Sequence, residues 1–218
     1  MSGAIGLWWL WAAGCLTLQQ ELETLNEHTT YPGLSEDARS AAVKSYACAR
    51  RRGLIVRKGV LGIIDFSRPS TTPRLWVIDT ETGALLHREY VAHGKHSGDD
   101  RPHAFSNVVD SKQSSLGVFR TAETYHGKHG YSLRLDGLEA GINDRARERA
   151  IVIHGAEYVS EAHITAFGRL GRSWGCPALP QHSSPAIINE LKWGAMLVAY
   201  YPDTAWLEGS TFLNCDTP

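Results

Sequence analysis

Residues 151–180 read IVIHGAEYVSEAHITAFGRLGRSWGCPALP, and this stretch contains the strongest structural and chemical signals in the chain. Its first three residues are β-branched, which predicts a buried strand ending at His154, and Gly155 lets the chain turn directly afterwards. Glycines cluster in the second half, so the backbone around Cys176 can bend sharply and bring main-chain N–H groups together. A cysteine on such a turn beside a strand-end histidine suits thiol chemistry, because the imidazole generates the reactive thiolate.

A second interpretation assigns Cys176 to packing, since free cysteine is commonly a buried core residue. The histidine would then be an ordinary residue at the end of a strand. The glycine-rich setting argues against this, because a packing cysteine does not need neighbours without side chains. Spacing alone leaves the catalytic and the packing interpretations both open.

Seven short motifs outside and inside this stretch follow one another in a fixed order. They are DFS at 65–67, VAHGK at 91–95, FSN at 105–107, SSLG at 114–117, GKHGYSL at 127–133, IVIHG at 151–155 and GRSWGCPAL at 171–179. This pattern resembles the catalytic domain of the murein L,D-transpeptidases, in the divergent bacterial branch of that YkuD-like family. The resemblance covers about residues 59–201, which is most of the chain.

The resemblance implies that Cys176 is the nucleophile and His154 its base. In the family, the second ring nitrogen of the histidine is held by a main-chain or serine oxygen, and the matching position here offers only the carbonyl of Gly155. The main-chain N–H groups of Trp174, Gly175 and Cys176 are candidates for an oxyanion hole. We expect Ser173 to support the turn rather than to react.

Two departures from the commoner family pattern affect the site. That pattern has histidine before Gly-Cys, where this chain has Trp174, so His154 is the only well-placed base. It also has an aliphatic residue and arginine after the cysteine, where this chain has Pro177 and Ala178. Arg172 is the nearest replacement for a substrate-carboxylate contact, because its guanidinium can grip a carboxylate with two hydrogen bonds. An ordinary loop charge is the alternative role for Arg172.

The histidine pairs His93/His96 and His126/His129 raise the question of a metal site. Neither pair lies on an evident helix, and no acidic residue separates its members, so we predict no metal site. We expect these histidines and their neighbours to line the substrate cleft instead, above all His93 and Lys95. Surface histidines without a function are the alternative.

The predicted fold is mainly β (α+β), with a YkuD-like β-sandwich or barrel core and peripheral helices. Strands are expected over 61–66, 74–79, 84–92, 116–123, 131–135 and 196–201, because β-branched and aromatic residues dominate these runs. Helices are expected over 18–27, after the Ser35 cap as far as Gly53, over 143–150, and after Ser184. The polar segment 94–114 is long for a loop without a function.

Composition excludes several classes of protein. The 218 residues are 43% hydrophobic and 21% charged, as in soluble globular proteins, and the net charge of -1 gives no electrostatic footprint for nucleic acid. The four cysteines contain no Cys-x-x-Cys pair, which argues against a cysteine-rich zinc site. Cys48 and Cys215 can pair in an oxidising compartment if their backbones approach closely enough, which sequence cannot decide.

The predicted domain organisation has three parts. Residues 1–20 are predicted to form a signal peptide or lipoprotein-type segment, because the run 4–16 is apolar and too short to span a bilayer, and residues 12–15 within it look like a lipoprotein processing site with Cys15 as the lipidated residue. The alternative is an N-terminal helix packed on the domain. Residues 21–58 form a helical extension, and residues 59–218 form the catalytic domain.

The sequence therefore predicts an exported cysteine acyltransferase of the periplasm or cell envelope. The resemblance implies peptidoglycan stem peptides as donor and acceptor partners. The N-terminal segment is expected to attach the protein to a membrane if it is retained or lipidated, and we expect a monomer and no cofactor. A peptidoglycan L,D-peptidase that uses the same site with water is one alternative. A non-catalytic cell-wall-binding protein is another.

Overall fold

A computed structural model describes residues 17–27, 31–55, 57 and 59–215. The predicted leader region 1–16 therefore lies outside the described residues. The helices are α1 (Leu18–Glu27), α2 (Glu36–Arg51), α3 (Glu161–Phe167), α4 (Ser184–Leu191) and α5 (Thr204–Gly209). The strands are β1 (Val60–Asp65), β2 (Leu75–Asp79), β3 (Leu85–Glu89), β4 (Gly117–Gly127), β5 (Gly130–Gly137), β6 (Val152–Ala156), β7 (Ala178–Pro180) and β8 (Met196–Tyr200). None of these described helices is long and apolar enough to cross a membrane.

The strands form one eight-stranded sheet in the order β3-β2-β1-β8-β4-β5-β6-β7. Strand β8 pairs in parallel with β1 and antiparallel with β4, and so joins the two halves of the sheet. Just after β3, the main chain of Ala92 pairs with Ala178 of β7, which brings the two ends of the sheet together. The result is a nearly closed, barrel-like sheet with helices around it, and the predicted mainly-β class is confirmed.

The core lies inside this sheet, where β1 and β8 are buried along their whole length. Helix α2 packs against both strands with an alanine-rich face. It begins as the sequence predicts, because the Ser35 side chain accepts a hydrogen bond from the N–H of Ala38, and it ends before Gly53, whose φ of 67° suits glycine.

A disulfide bond joins Cys48 of α2 to Cys215 near the end of the chain, with Cα atoms 5.9 Å apart. The sequence left this pairing open. The bond ties the helix that covers β1 and β8 to the segment that follows α5. Because it closes a very long loop, it restricts the unfolded chain strongly.

The predicted helix over 143–150 was wrong, because the structure has a series of turns there. The Asn143 side chain accepts from the N–H of Glu139 and donates to the carbonyls of Leu116 and Val118. These contacts hold the segment against the start of β4 in a form that a continuous helix does not provide. Helices α3 and α5 and the short strand β7 were not predicted.

Candidate active site

The pairing of β6 with β7 brings the predicted nucleophile and base together. The two strands are parallel, with His154 opposite Ala178. Continuing that register back by two residues places Cys176 opposite Val152, and the Val152 N–H indeed lies 3.5 Å from the thiol sulfur. Since side chains two residues apart share a face of a strand, His154 and Val152 lie on the same face of β6, and Cys176 is next to Val152.

The thiol lies in a partly buried position that the main chain shapes closely. Its Sγ lies 3.6 Å from the carbonyl oxygen of Ala150, whose φ of 53° is unusual for a residue with a side chain. Burial raises the pKa of the Cys176 thiol, while the N–H of Val152 and the nearby Arg149 guanidinium act in the opposite direction. In the free protein this environment favours the neutral thiol.

The His154 imidazole is 2% exposed and has a defined tautomer. Its Nδ1 lies 3.0 Å from the carbonyl oxygen of Gly155. Because a carbonyl oxygen only accepts, Nδ1 carries the proton and Nε2 keeps its lone pair, which a general base requires. Burial lowers the pKa of His154, the bond to Gly155 opposes this, and His129 lowers the pKa further. The contact supports the orienting role predicted for Gly155.

Ser173 holds the turn on which Cys176 lies. Its hydroxyl accepts from the N–H of Gly175 at 3.0 Å and donates to the carbonyl of Cys176 at 2.6 Å. Gly175 has a φ of 126°, and a Cβ there would lie 2.7 Å from the carbonyl oxygen of Gln113, so a side chain does not fit. These contacts agree with the structural role expected for Ser173.

The same hydrogen bonds narrow the set of oxyanion-hole candidates. The N–H of Gly175 is already bonded to Ser173, which counts against the donor role expected for it. For the N–H groups of Trp174 and Cys176, the described residues supply no acceptor. The Trp174 side chain is 71% exposed, with the ammonium groups of Lys112 and Lys95 5.0 and 5.9 Å from its ring centre. Lys95 thus lies beside the exposed Trp174 ring, and its expected role in lining the substrate cleft stays a prediction.

The structure corrects the expectation that His93 lines the cleft. Its side chain is completely buried. The Arg74 guanidinium donates to Nδ1 at 2.7 Å, and Nε2 lies 3.3 Å from the carbonyl of Gly98. Burial and the charge of Arg74 lower the pKa of His93 to about 3, so this neutral imidazole supports the loop instead of contacting substrate.

Arg172 lies at the base of the polar loop that follows β3. Its guanidinium donates to the carbonyl of Gly98 at 3.0 Å and to the carboxylate of Asp99 at 2.7 Å. The predicted contact of Arg172 with a substrate carboxylate stays a proposal. In this structure the side chain of Asp99 provides the carboxylate.

Three further residues lie close to Cys176 or His154: His129, which the sequence considered only as a metal or cleft residue, and Tyr158 and Arg149, to which it gave no role. His129, at the turn between β4 and β5, stacks on His154 with ring centres 4.5 Å apart. The pKa of Tyr158 is raised by burial and by the neighbouring Cys176, and Arg149 lowers the pKa of Cys176. Only the strand register could have revealed these neighbours.

Metal ligation finds no support in the site. Within the described ranges, no group of three or more histidine, cysteine, aspartate or glutamate side chains converges. The two members of the first histidine pair lie in different environments. His93 is buried, whereas the Nδ1 of His96 bonds to the carbonyl of Ser111 at 2.9 Å. His126 packs against Tyr131.

The chain is similar to proteins of one known family. A family model of the L,D-transpeptidase catalytic domain matches residues 30–200, and the chain belongs to that family. The resemblance expected from the motifs is confirmed. No curated protein matches the sequence.

Similar solved structures include L,D-transpeptidases from three bacteria. The protein from Mycobacterium smegmatis is 15% identical with a TM-score of 0.40, and the alignment covers 66% of this chain and 59% of that one. The proteins from Xylanimonas cellulosilytica and Stackebrandtia nassauensis are 13% and 14% identical, with TM-scores of 0.38 and 0.39. These alignments cover 84% and 86% of this chain and 92% of each relative. The chain thus spans only 59% of the mycobacterial protein.

Proposed function

We propose that the protein is an L,D-transpeptidase that acts on peptidoglycan stem peptides through a thioester on Cys176. The observation that carries this proposal is the pairing of β6 with β7 in a chain that belongs to the L,D-transpeptidase catalytic-domain family. Support comes from the N–H of Val152, which lies 3.5 Å from Sγ of Cys176 on the strand that carries His154, and from the contact of His154 Nδ1 with Gly155, which leaves Nε2 to accept a proton. Cys176 and His154 are the nucleophile and the base.

The first half-reaction forms the thioester. Burial raises the pKa of Cys176 and lowers that of His154, so both groups are uncharged in the free protein at neutral pH. The thiol proton moves to Nε2 as the sulfur attacks the carbonyl of the third stem-peptide residue. The protonated imidazole then gives the proton to the terminal D-amino acid as its amide bond breaks.

The second half-reaction transfers the acyl group to an amine, which we take to be a diaminopimelate side chain of a neighbouring stem. The amine attacks the thioester and loses a proton to Nε2 of His154, which passes that proton to the departing sulfur and so restores the thiol. In both steps the negative oxygen is stabilised by the main-chain N–H groups of Trp174 and Cys176. Such fixed donors contribute about 3 to 4 kcal/mol each to lowering the barrier.

The proposed setting is the periplasm or cell envelope. The Cys48–Cys215 disulfide supports it, because such bonds persist in oxidising compartments. A peptidoglycan substrate requires the same location. The predicted leader and its attachment to a membrane belong to this proposal.

The experiment that tests the function is acyl-enzyme trapping followed by turnover. The folded protein is treated with an acylating reagent, and the adduct is located by mass spectrometry. We expect one stable addition at Cys176 and, with tetrapeptide stems, a cross-linked product together with free D-alanine. Absence of any adduct on folded protein would overturn the enzyme assignment in favour of a wall-binding protein. Release of tripeptide acid without cross-links would identify a peptidase.

A further inference from the structure

An open pocket of about 350 Å³ lies beside the catalytic turn, between α3 and the polar loop after β3. Its walls carry three cations and three rings: Lys95, Arg169 and Arg172 with Tyr158, His163 and Phe167. Phe167 is 64% exposed, which leaves its ring available for contact with a ligand. The combination suits a ligand with a carboxylate and an aliphatic portion.

Two of the cations already converge on one carboxylate. The Asp99 oxygen lies 2.7 Å from Nη1 of Arg172 and 3.8 Å from Nε of Arg169. The Asp99 side chain is 83% exposed, whereas that of Arg172 is 25% exposed. The carboxylate therefore reaches the arginines from the solvent side, along the path that a ligand would take.

The position of Arg172 does not depend on Asp99. The same nitrogen, Nη1, also donates to the main-chain carbonyls of Gly98 at 3.0 Å and Lys95 at 3.4 Å. These contacts remain if the Asp99 side chain swings into solvent. The guanidinium is thus held in place for a second carboxylate, which lowers the entropic cost of binding one.

The pocket is connected directly to the nucleophile turn. The N–H of Lys95 donates to the carbonyl of Ser173, the residue that braces Cys176. On the opposite wall, the N–H of Gly171 donates to the carbonyl of Tyr158, whose phenol has its pKa raised by burial and by Cys176. A ligand in the pocket therefore lies on the side of the thiol occupied by Tyr158.

We propose that this pocket binds a carboxylate of the donor stem peptide through Arg172, and that Asp99 pairs with Arg172 in the free protein and is displaced when the donor binds. This inference rests on the proposed transpeptidase function. The pocket walls carry three cations, so they favour a carboxylate over an ammonium group at this position.

The test measures binding to the Cys176→Ala protein, which cannot react. The probes are the tetrapeptide L-alanyl-γ-D-glutamyl-diaminopimelyl-D-alanine and three derivatives, each with one carboxylate replaced by a carboxamide. We expect one carboxamide to bind roughly tenfold more weakly by calorimetry, and Arg172→Ala to remove that difference. Asp99→Asn should strengthen binding of the unmodified peptide roughly three- to tenfold, because the competing charge is gone.

Asp110→Asn is the matched control, since Asp110 is an exposed carboxylate on the same loop and does not line the pocket. It should leave all four affinities unchanged. If Arg172→Ala lowers the melting temperature strongly, Arg169→Ala replaces it, with a smaller loss expected.

Three outcomes would overturn the subsite: equal affinity for all four peptides, weaker binding by Asp99→Asn, or no binding of the tetrapeptide. The proposed function is judged separately, by thioester formation in the protein with Cys176 intact. If Cys176 forms an adduct and cross-linked product appears, but all four peptides bind with equal affinity, the subsite is wrong and the proposed function stands.

Discussion

The imidazole of His129 stacks on that of His154, with ring centres 4.5 Å apart and ring planes inclined by 27°. His129 is exposed at the turn between β4 and β5, whereas His154 is 2% exposed, so the outer ring covers the inner one. The cover keeps water from His154, and protonation of His129 disfavours a second positive charge beneath it. Both effects keep the proposed base neutral under mildly acidic conditions.

Replacing His129 with alanine should raise the pKa of His154, because burial and the neighbouring charge both lower it. A base with a higher pKa is protonated earlier as pH falls, so the acidic limb of kcat/KM should move to higher pH. We expect roughly two- to tenfold slower acylation at mildly acidic pH and a smaller change above neutrality. NMR titration of the His154 ring measures the pKa directly.

His129→Phe separates stacking from charge, because it keeps a flat ring without a titrating group. We expect its pH profile to lie between those of wild type and His129→Ala. His126→Ala is the matched control, since His126 packs against Tyr131 on the same hairpin. An unchanged profile for His129→Ala would show that the stack plays no part in the reaction.

Cys176→Ser should form no acyl-enzyme while the fold is kept, because a hydroxyl is far less ionised than a thiol at neutral pH. Mass spectrometry of the treated variant measures this, and circular dichroism checks the fold. Near-normal turnover by the variant would refute the nucleophile.

His154→Gln should slow acylation by roughly 10²-fold or more, since the proton acceptor for the thiol is lost. Stopped-flow acylation over a range of pH measures the change. Persistence of the wild-type rate would mean that another group, with His129 the nearest ring, takes the proton.

Ser173→Ala should slow acylation while the protein remains folded. The hydroxyl makes two hydrogen bonds within the turn, to Gly175 and Cys176, each contributing about 0.5 to 1.5 kcal/mol. Their loss loosens the position of the thiol. Ser183→Ala is the control, because the Ser183 hydroxyl makes one long contact, 3.4 Å to the carbonyl of Pro180. Similar rates for both variants would contradict the bracing role.

Replacing both Cys48 and Cys215 with alanine should lower the free energy of unfolding by about 2 to 4 kcal/mol. The reason is that the unfolded chain regains the freedom that this long-range link removes. Chemical denaturation of the variant beside Cys176→Ala measures the loss and controls for cysteine removal. Equal stability of the two variants would show that the bond adds nothing.

Local sequence predicted those parts of the fold that local chemistry determines. The Ser35 cap and the glycine at 53 define the ends of α2, and three β-branched residues define the start of β6. The turns at 143–150 were mistaken for a helix because the side-chain contacts of Asn143 reach distant main-chain atoms. Helix propensity carries no information about such partners.

In the candidate site too, some features follow from local sequence and others depend on distant residues. Cys176 and His154 were predicted from the residues around them. The buried His93 contacts Arg74, which comes from the segment before β2, and the stacking of His129 depends on the pairing of Ser132 with His154. Both are consequences of tertiary structure. A single sequence shows which residue types are present but not which of them meet.

Strand β8 lies between β1 and β4, although it is the last strand to be synthesised. Until it emerges, β1 to β3 and β4 to β7 form two fragments that lack the strand joining β1 to β4, and these two edges stay unpaired and prone to aggregation. Completion of the sheet then requires contact between distant parts of the chain, which slows folding. A chain that stopped before Met196 would contain both Cys176 and His154, yet it would lack the strand that makes one sheet of the two fragments.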